Sequence, residues 1–245
     1  MARILLLETS TARLSVALAQ DGTVVASRIC DEPRQQASLT APLVKEVLDS
    51  VGLTVQDCQA VCVSKGPGSY TGLRVGVSTA KGLAFGAGIP LLSMGTLDVI
   101  VAGVGDTLGP SGLGMTKQGS VTPGEASASP AYIIPMIDAR RMEVYTAVYG
   151  PDGVRRTPVE AKVMGPESFA EELAAGPVLF VGDGALKCRE VLTHPNAQFR
   201  EAWPFAGDMA AAAEQAYNEK WFEDLAYFEP FYLKDFIATV SKKPW

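Results

Sequence analysis

Two hydrophobic periodicities alternate along this chain, and their alternation sets the reading of the fold. Ile4-Leu5-Leu6-Leu7 is a continuous apolar run, suited to a strand covered on both faces. Leu14, Val16 and Leu18 alternate with smaller residues as a second strand. Gln20-Asp21-Gly22 then makes a hairpin turn into a third strand over Thr23–Arg28. Between Ser38 and Val51 the period lengthens: Leu39, Leu43, Val47 and Val51, with Val44 and Leu48 beside them, mark an amphipathic helix closed by Gly52. Asp57–Ser64 is the next buried strand and Ile89–Ser93 a short one, after which Thr96 caps a helix through Val101.

Between those last strands lies the most unusual segment. Gly66-Pro67-Gly68 turns the chain, and Ser69 or Thr71 can cap a helix running to about Ala84. Gly72, Gly76, Ala80 and Ala84 recur every four residues, and Ser78, Gly82 and Gly86 form a second small-sided row. Glycine inside a helix costs about 0.8–1 kcal/mol relative to alanine, so this composition predicts close approach of another helix or of the sheet.

From Gly103 to Pro130 the pattern lapses into Gly, Ser, Thr and Pro, which reads as a linker or surface excursion. Beyond it the start of the chain is echoed. Ile133–Ile137 is a strand ending at Asp138, Val144–Tyr149 a second, and Pro151-Asp152-Gly153 turns into a third. Setting Ile4–Gly22 against Ile134–Gly153 brings Glu8 onto Asp138 and, after a one-residue gap, Asp21-Gly22 onto Asp152-Gly153, the signature of a structural duplication. A helix opening near Pro166-Glu167-Ser168, a strand at Val178–Val181, a Gly182-Asp183-Gly184 turn and a helix near Gly207–Tyr217 complete the body. The expected division is an N-terminal lobe over 1–104, the excursion over 105–130, a C-terminal lobe over 131–225, and a segment 226–245 that packs back before a tail.

Composition narrows the class. With 47% hydrophobic and 20% charged residues among 245, the chain is globular with ample core, and no apolar run reaches ~18 residues. Its start is too short and too soon acidic for a signal peptide, which makes the cytoplasm the expected location. A net charge of −6 with scattered Lys and Arg disfavours direct nucleic-acid binding by the isolated chain. Cys30, Cys58, Cys62 and Cys188 form no C-x-x-C pair and read as reduced, buried thiols.

Candidate chemistry is sparse. The one histidine, His194, precedes Pro195 in a loop, so a two-histidine zinc site is impossible and a Ser-His-Asp site unsupported. Gly66-Pro67-Gly68-Ser69 leads from strand to helix N-terminus as phosphate loops do. It lacks the Gly-Lys-Ser/Thr ending, and Pro67 removes a donor; tight turn plus cap outweighs a nucleotide grip. The paired acidic turns, Glu8-Thr9-Ser10-Thr11 and Asp138-Ala139-Arg140, stand where two-lobed ATPases hold phosphate and magnesium, yet neither has the glycine that lets backbone come close. Glu8, Thr9, Ser10, Asp138 and Arg140 are read as degenerate phosphate-loop positions, with no catalytic residue, metal or cofactor expected.

These residues carry a resemblance. Ile4–Thr11, Gly66-Pro67-Gly68-Ser69-Tyr70-Thr71-Gly72-Leu73-Arg74-Val75-Gly76, Ala80–Ala84 and Ile137-Asp138-Ala139-Arg140, with Pro230, Tyr232 and Leu233, are similar to the TsaB (YeaZ) family over nearly the whole chain. The resemblance implies an α/β fold of two duplicated lobes in the actin-like, Hsp70-like (ribonuclease H-like) ATPase class. It also implies a non-catalytic subunit of the bacterial machinery that makes threonylcarbamoyladenosine in tRNA next to the anticodon. There it docks the metal-bearing transferase TsaD and, with it, the small ATPase TsaE, and meets tRNA only through the complex. The implied docking face is the pair of helices at Ser38–Val51 and Gly72–Ala84, with Leu39, Pro42, Leu43, Thr71, Arg74, Val77, Ser78 and Lys81 as its contacts, and the same face can form a homodimer. The family often carries His-Ser-Glu before the first helix, where this chain has Gln36-Ala37-Ser38. The runner-up is an autonomous ATPase or sugar kinase of the same fold class; a metallopeptidase is nearly closed by the histidine count.

Overall fold

The computed structural model describes residues 2–108 and 130–234. Most of the expected excursion, and the tail beyond 234, lie outside the described residues. The first sheet is built from β1 (Arg3–Glu8), β2 (Leu14–Gln20), β3 (Thr23–Cys30), β4 (Ala60–Gly66) and β5 (Leu91–Gly95), in the order β3-β2-β1-β4-β5. β1 pairs antiparallel with β2 and β2 with β3, whereas β1 runs parallel to β4 and β4 to β5. The β2–β3 hairpin closes through Asp21 and Gly22, both at positive φ (50° and 73°), the conformation that Asp-Gly turns supply.

The second sheet repeats that arrangement. It contains β6 (Tyr132–Asp138), β7 (Glu143–Thr146), β8 (Glu160–Val163), β9 (Val178–Val181) and β10 (Ala197–Arg200), in the order β10-β9-β6-β7-β8. β6–β7 and β7–β8 are antiparallel and β6–β9 and β9–β10 parallel, so β6 stands to its sheet as β1 does to the first. Glu8 ends β1 and Asp138 ends β6, the register expected from the sequence echo. The duplication is real.

Helices α1 (Gln36–Asp49) and α2 (Tyr70–Ala87) cover one face of the first sheet, where Leu43, Val44, Val47, Leu48, Val77, Ala80 and Ala84 pack on Leu5, Leu7, Val61 and Val63. Ser69 caps α2, its Oγ accepting from Gly72 N at 3.3 Å, and Gly88 ends it in the left-handed conformation. Helix α3 (Thr96–Leu108) runs beyond the Val101 read from the sequence. Gly103, taken there as the start of the excursion, lies inside it and faces the chain's return: a Cβ on Gly103 would stand 2.5 Å from Asp208 Oδ2.

α3 lies between the sheets. Val99 joins Leu92, Cys62, Ile4 and Leu6 on the first, while Leu97, Ile100, Val101 and Val104 pack on Ile133, Ile137, Leu179 and Val181 of the second. The outer face of the second sheet is closed by the short α4 (Ala170–Ala175), with Phe169, Leu173, Cys188 and Leu192 over Ile134, Met136 and Phe180. The chain then crosses back. A 3-10 turn at Ala206–Met209 and α5 (Ala210–Asn218) lay Ala206, Met209, Ala210 and Ala213 on the first sheet, so the return begins well before residue 226. Among the described residues no helix is long and apolar enough to cross a membrane.

Candidate functional site

The turn after β1 is a buried plug. Glu8, Thr9 and Ser10 have no accessible surface and Thr11 almost none. Thr9 Oγ1 donates to Gly72 O at 2.8 Å, and Ser69 N donates to Ser10 O at 2.6 Å. The glycines of α2 make this possible. A Cβ on Gly68 would stand 2.3 Å from Ser10 O, on Gly72 2.1 Å from Thr9 O, and on Gly76 2.1 Å from Thr9 Oγ1. The close neighbour of the Gly72, Gly76, Ala80, Ala84 row is therefore this polar turn together with the sheet's apolar core, where Ala80 and Ala84 pack. The space against this turn is filled by helix backbone.

Burial also decides the charge of Glu8. Desolvation pushes its carboxyl up to about 7, and the hydrogen bond that Ser10 N donates to Oε1 at 2.6 Å offsets only part of that rise. The Ser10 and Ser64 hydroxyls stand beside the carboxyl and temper the rise further, without completing hydrogen bonds of good geometry.

The second turn differs. Asp138 is exposed and pairs with Lys187 Nζ, which also donates to Arg141 O at 2.8 Å and Glu143 O at 2.7 Å. Asp138 Oδ1 accepts from Arg140 N at 2.8 Å, and Asp138 N donates to Asp183 Oδ1 at 3.0 Å. Burial, with the Asp138 charge adding to it, raises the Asp183 carboxyl to about 6. A cleft of about 840 Å³ separates the two turns; Thr11, Gln36, Ser69, Tyr70, Asp138, Arg140, Asp183 and Tyr232 are among its walls.

The expected contact residues fall into three groups. Pro42, Thr71, Arg74 and Ser78 are exposed, and Leu39 and Lys81 are half-buried. Leu43 and Val77 point into the first core, 8% and 3% exposed, because their helical phase faces the sheet. Lys81 is partly engaged within the chain, donating to Phe228 O at 3.0 Å and Ala226 O at 3.3 Å. The second small row remains open: Ser78 is exposed and a Cβ on Gly82 or Gly86 would meet nothing within 4 Å. Beside it Phe85 is 82% exposed, an aromatic ring that the sequence reading did not single out. Its helical phase, one residue past the buried Ala84, was the available signal.

The C-terminal segment straps this region. Glu223 bridges to Leu91, Phe228 enters the first core, and Phe231 N donates to Lys65 O at 2.7 Å. Tyr232 packs on Tyr70 with ring centroids 4.9 Å apart, and Arg74 lies over Tyr70. Lys234 then pairs with Glu143 of the second sheet, so the strap touches both lobes.

Known proteins share this arrangement. Residues 32–242 match the family model of TsaD, tRNA N6-adenosine threonylcarbamoyltransferase. The tRNA threonylcarbamoyladenosine biosynthesis protein TsaB of Escherichia coli is 31% identical over 96% of both chains. The chain belongs to the TsaB (YeaZ) family. The Haemophilus influenzae TsaB is 28% identical over 98% of this chain and 97% of its own. Among solved structures, YeaZ from Pseudomonas aeruginosa superposes with a TM-score of 0.74 at 27% identity, covering 95% of this chain and all of that one. This TsaB-family chain shares the fold of that structure, two lobes of like topology, with the turn after β1 closed by its own helix.

Proposed function

We propose that this chain acts in tRNA threonylcarbamoyladenosine biosynthesis as a non-catalytic docking subunit, holding a TsaD-type transferase and, with it, a TsaE-type ATPase. The observation that carries the reading is the alignment with the Escherichia coli TsaB over 96% of both chains. Two structural features support its non-catalytic character. The turn that would meet a phosphate is buried under α2, and that burial pushes its carboxyl up to about 7.

The docking face is the exposed side of α1 and α2: Pro42 and Leu39 on the first, and Thr71, Arg74, Ser78 and Phe85 on the second. Gly82 and Gly86 between them leave a shallow trough in which a partner helix can lie at close range. A large exposed aromatic beside a small-residue groove, covered only on docking, is the kind of anchor on which interface energy concentrates. A second copy of the chain can use the same face when the partner is absent.

Ser78→Glu tests the assignment, since Ser78 is exposed and its replacement leaves the core intact. Co-purification with a TsaD-type partner should fall at least tenfold while the melting temperature stays unchanged. A variant that still co-purifies fully would exclude this face. Turnover of ATP by the isolated chain would overturn the non-catalytic reading in favour of an autonomous ATPase.

A further inference from the structure

The strap and α2 enclose a second hollow, of about 310 Å³, on the side of the helix that bears Ser78. Arg74, Ser78 and Lys81 line it from α2, and Phe228, Glu229 and Pro230 line it from the strap. Tyr70 and Tyr232 border both this hollow and the interlobe cleft, whereas Arg74, Ser78 and Lys81 border the hollow and not the cleft. Spaced by four and three residues, Arg74, Ser78 and Lys81 stand in one row on the helix surface. That row gathers two cations on a chain whose net charge is −6.

Both cations are held in place without an anion. The Lys81 ammonium donates to Phe228 O at 3.0 Å and to Ala226 O at 3.3 Å, which leaves one of its protons uncommitted. Arg74 lies over the Tyr70 ring, 5.5 Å from its centroid, and its Nη1 donates to Tyr70 Oη at 3.3 Å. The other N–H groups of that guanidinium are free, and neither cation forms an ion pair among the described residues. Glu229 is the sole carboxylate on the wall; it is exposed and paired with neither. The hollow therefore carries an excess of positive charge, fixed by contacts that the chain itself supplies.

A partner lying on the exposed side of α2 takes water away from this row. A charge stripped of water without a counter-charge is costly, so a surface that covers two cations must bring anions to them. Seven residues of helix set Arg74 and Lys81 about 10 Å apart along the axis, too far for one carboxylate to serve both. Two acids on a partner helix, two turns apart, match that spacing. We infer that α2 and the strap together receive an acidic helix of the docking partner, with one Asp or Glu carboxylate at Arg74 and another at Lys81. This rests on the docking reading above and adds the chemistry that selects the partner. It also makes the strap a wall of the docking site, because the Ala226 and Phe228 carbonyls position Lys81.

Isothermal titration of the full chain with a purified TsaD-type transferase, at low and at high salt, tests the charge pairing. The parent should bind saturably and more weakly at high salt. Arg74→Gln with Lys81→Gln should weaken binding at least tenfold at low salt and flatten the salt dependence, whereas Arg74→Lys should keep most of the affinity. Glu229→Gln removes the competing carboxylate and should strengthen binding several-fold, a sign that a merely structural role would not give. Should the double variant be unfolded through loss of the strap, Arg74→Gln alone makes the same comparison, with a several-fold loss. Ser78→Glu separates the two readings. If it loses binding while a folded Arg74→Gln, Lys81→Gln variant keeps both affinity and salt dependence, the docking face stands and the acidic helix is overturned. Full binding by Ser78→Glu, or none by the parent, removes the face and this inference with it. Partner affinity unchanged in the double variant, with self-association of the chain weakened in sedimentation, would give the hollow to a second copy and overturn the inference as well.

Discussion

Glu8 shows how one residue's environment, more than its type, sets its role. In the sequence it is an acidic residue at the end of a strand, where a two-lobed ATPase holds charge. In the fold it is enclosed, and its carboxyl titrates near 7 instead of 4.5. The folded chain therefore keeps a proton that the unfolded chain releases at lower pH. Its contribution is most favourable below about pH 4.5, declines as pH rises, and levels off above about 7, by roughly 3 kcal/mol in all. Glu8→Gln keeps the acceptor for Ser10 N and removes the charge. Chemical denaturation from pH 4 to 8 should show the variant gaining on the parent as pH rises, by about 3 kcal/mol at pH 8. An equal pH slope in the two proteins would show that Glu8 does not titrate in this range. The position was legible in the sequence, because a polar residue closed an apolar run. Its enclosure was not, because what covers it is α2, which is far from it along the chain.

At the scale of the element, α2 carries two small rows with opposite uses. Periodicity found both, but a period names a face and not its neighbour. Gly72 and Gly76 press on the turn at Thr9, whereas Gly82 and Gly86 face open space. The same substitution should thus change sign along one helix. Gly82→Ala gains helix propensity with no clash and should stabilise by about 0.5–1 kcal/mol. Gly72→Ala places a Cβ 2.1 Å from the Thr9 carbonyl oxygen, which is backbone and cannot swing aside. It should destabilise by about 1–3 kcal/mol, the cost of overpacking. Thermal unfolding of the two variants measures both signs, and a stabilised Gly72→Ala would refute the close approach. The same limit explains Leu43 and Val77: a contact residue and a core residue on an amphipathic helix differ by one step of phase. It also explains α3, where Gly103 resembled a break and serves as a close contact with the return at Asp208.

For the whole molecule, the duplication was readable from Glu8 and Asp138 in register with the two Asp-Gly turns, and the two sheets do share one topology. How they are joined was not readable. α3 is apolar on both sides, and the alanine-rich Ala210–Asn218 carries too few large residues to announce a core partner. Yet these two elements weld the lobes: α3 fills the space between the sheets, and the return lays Met209 and Ala213 on the first. Tyr149 of the second lobe adds a hydrogen bond to Asp98 Oδ1 at 2.6 Å, with Arg155 4.0 Å from Oδ2. A shared core of this kind couples the stability of its two sides, because neither sheet can expose its inner face without stripping α3. Leu97 is 1% exposed at that junction, packed with Ile133 and Ile137 of β6. Truncation to alanine removes about 2–5 kcal/mol of packing. Leu97→Ala should therefore lower hydrogen-exchange protection in β1 and β4 and in β6 and β9 together, by similar factors, although it lies in neither sheet. Loss confined to the strands of one lobe would mean that the lobes unfold independently, and that the welding by α3 and the return is too weak to make the molecule a single cooperative unit.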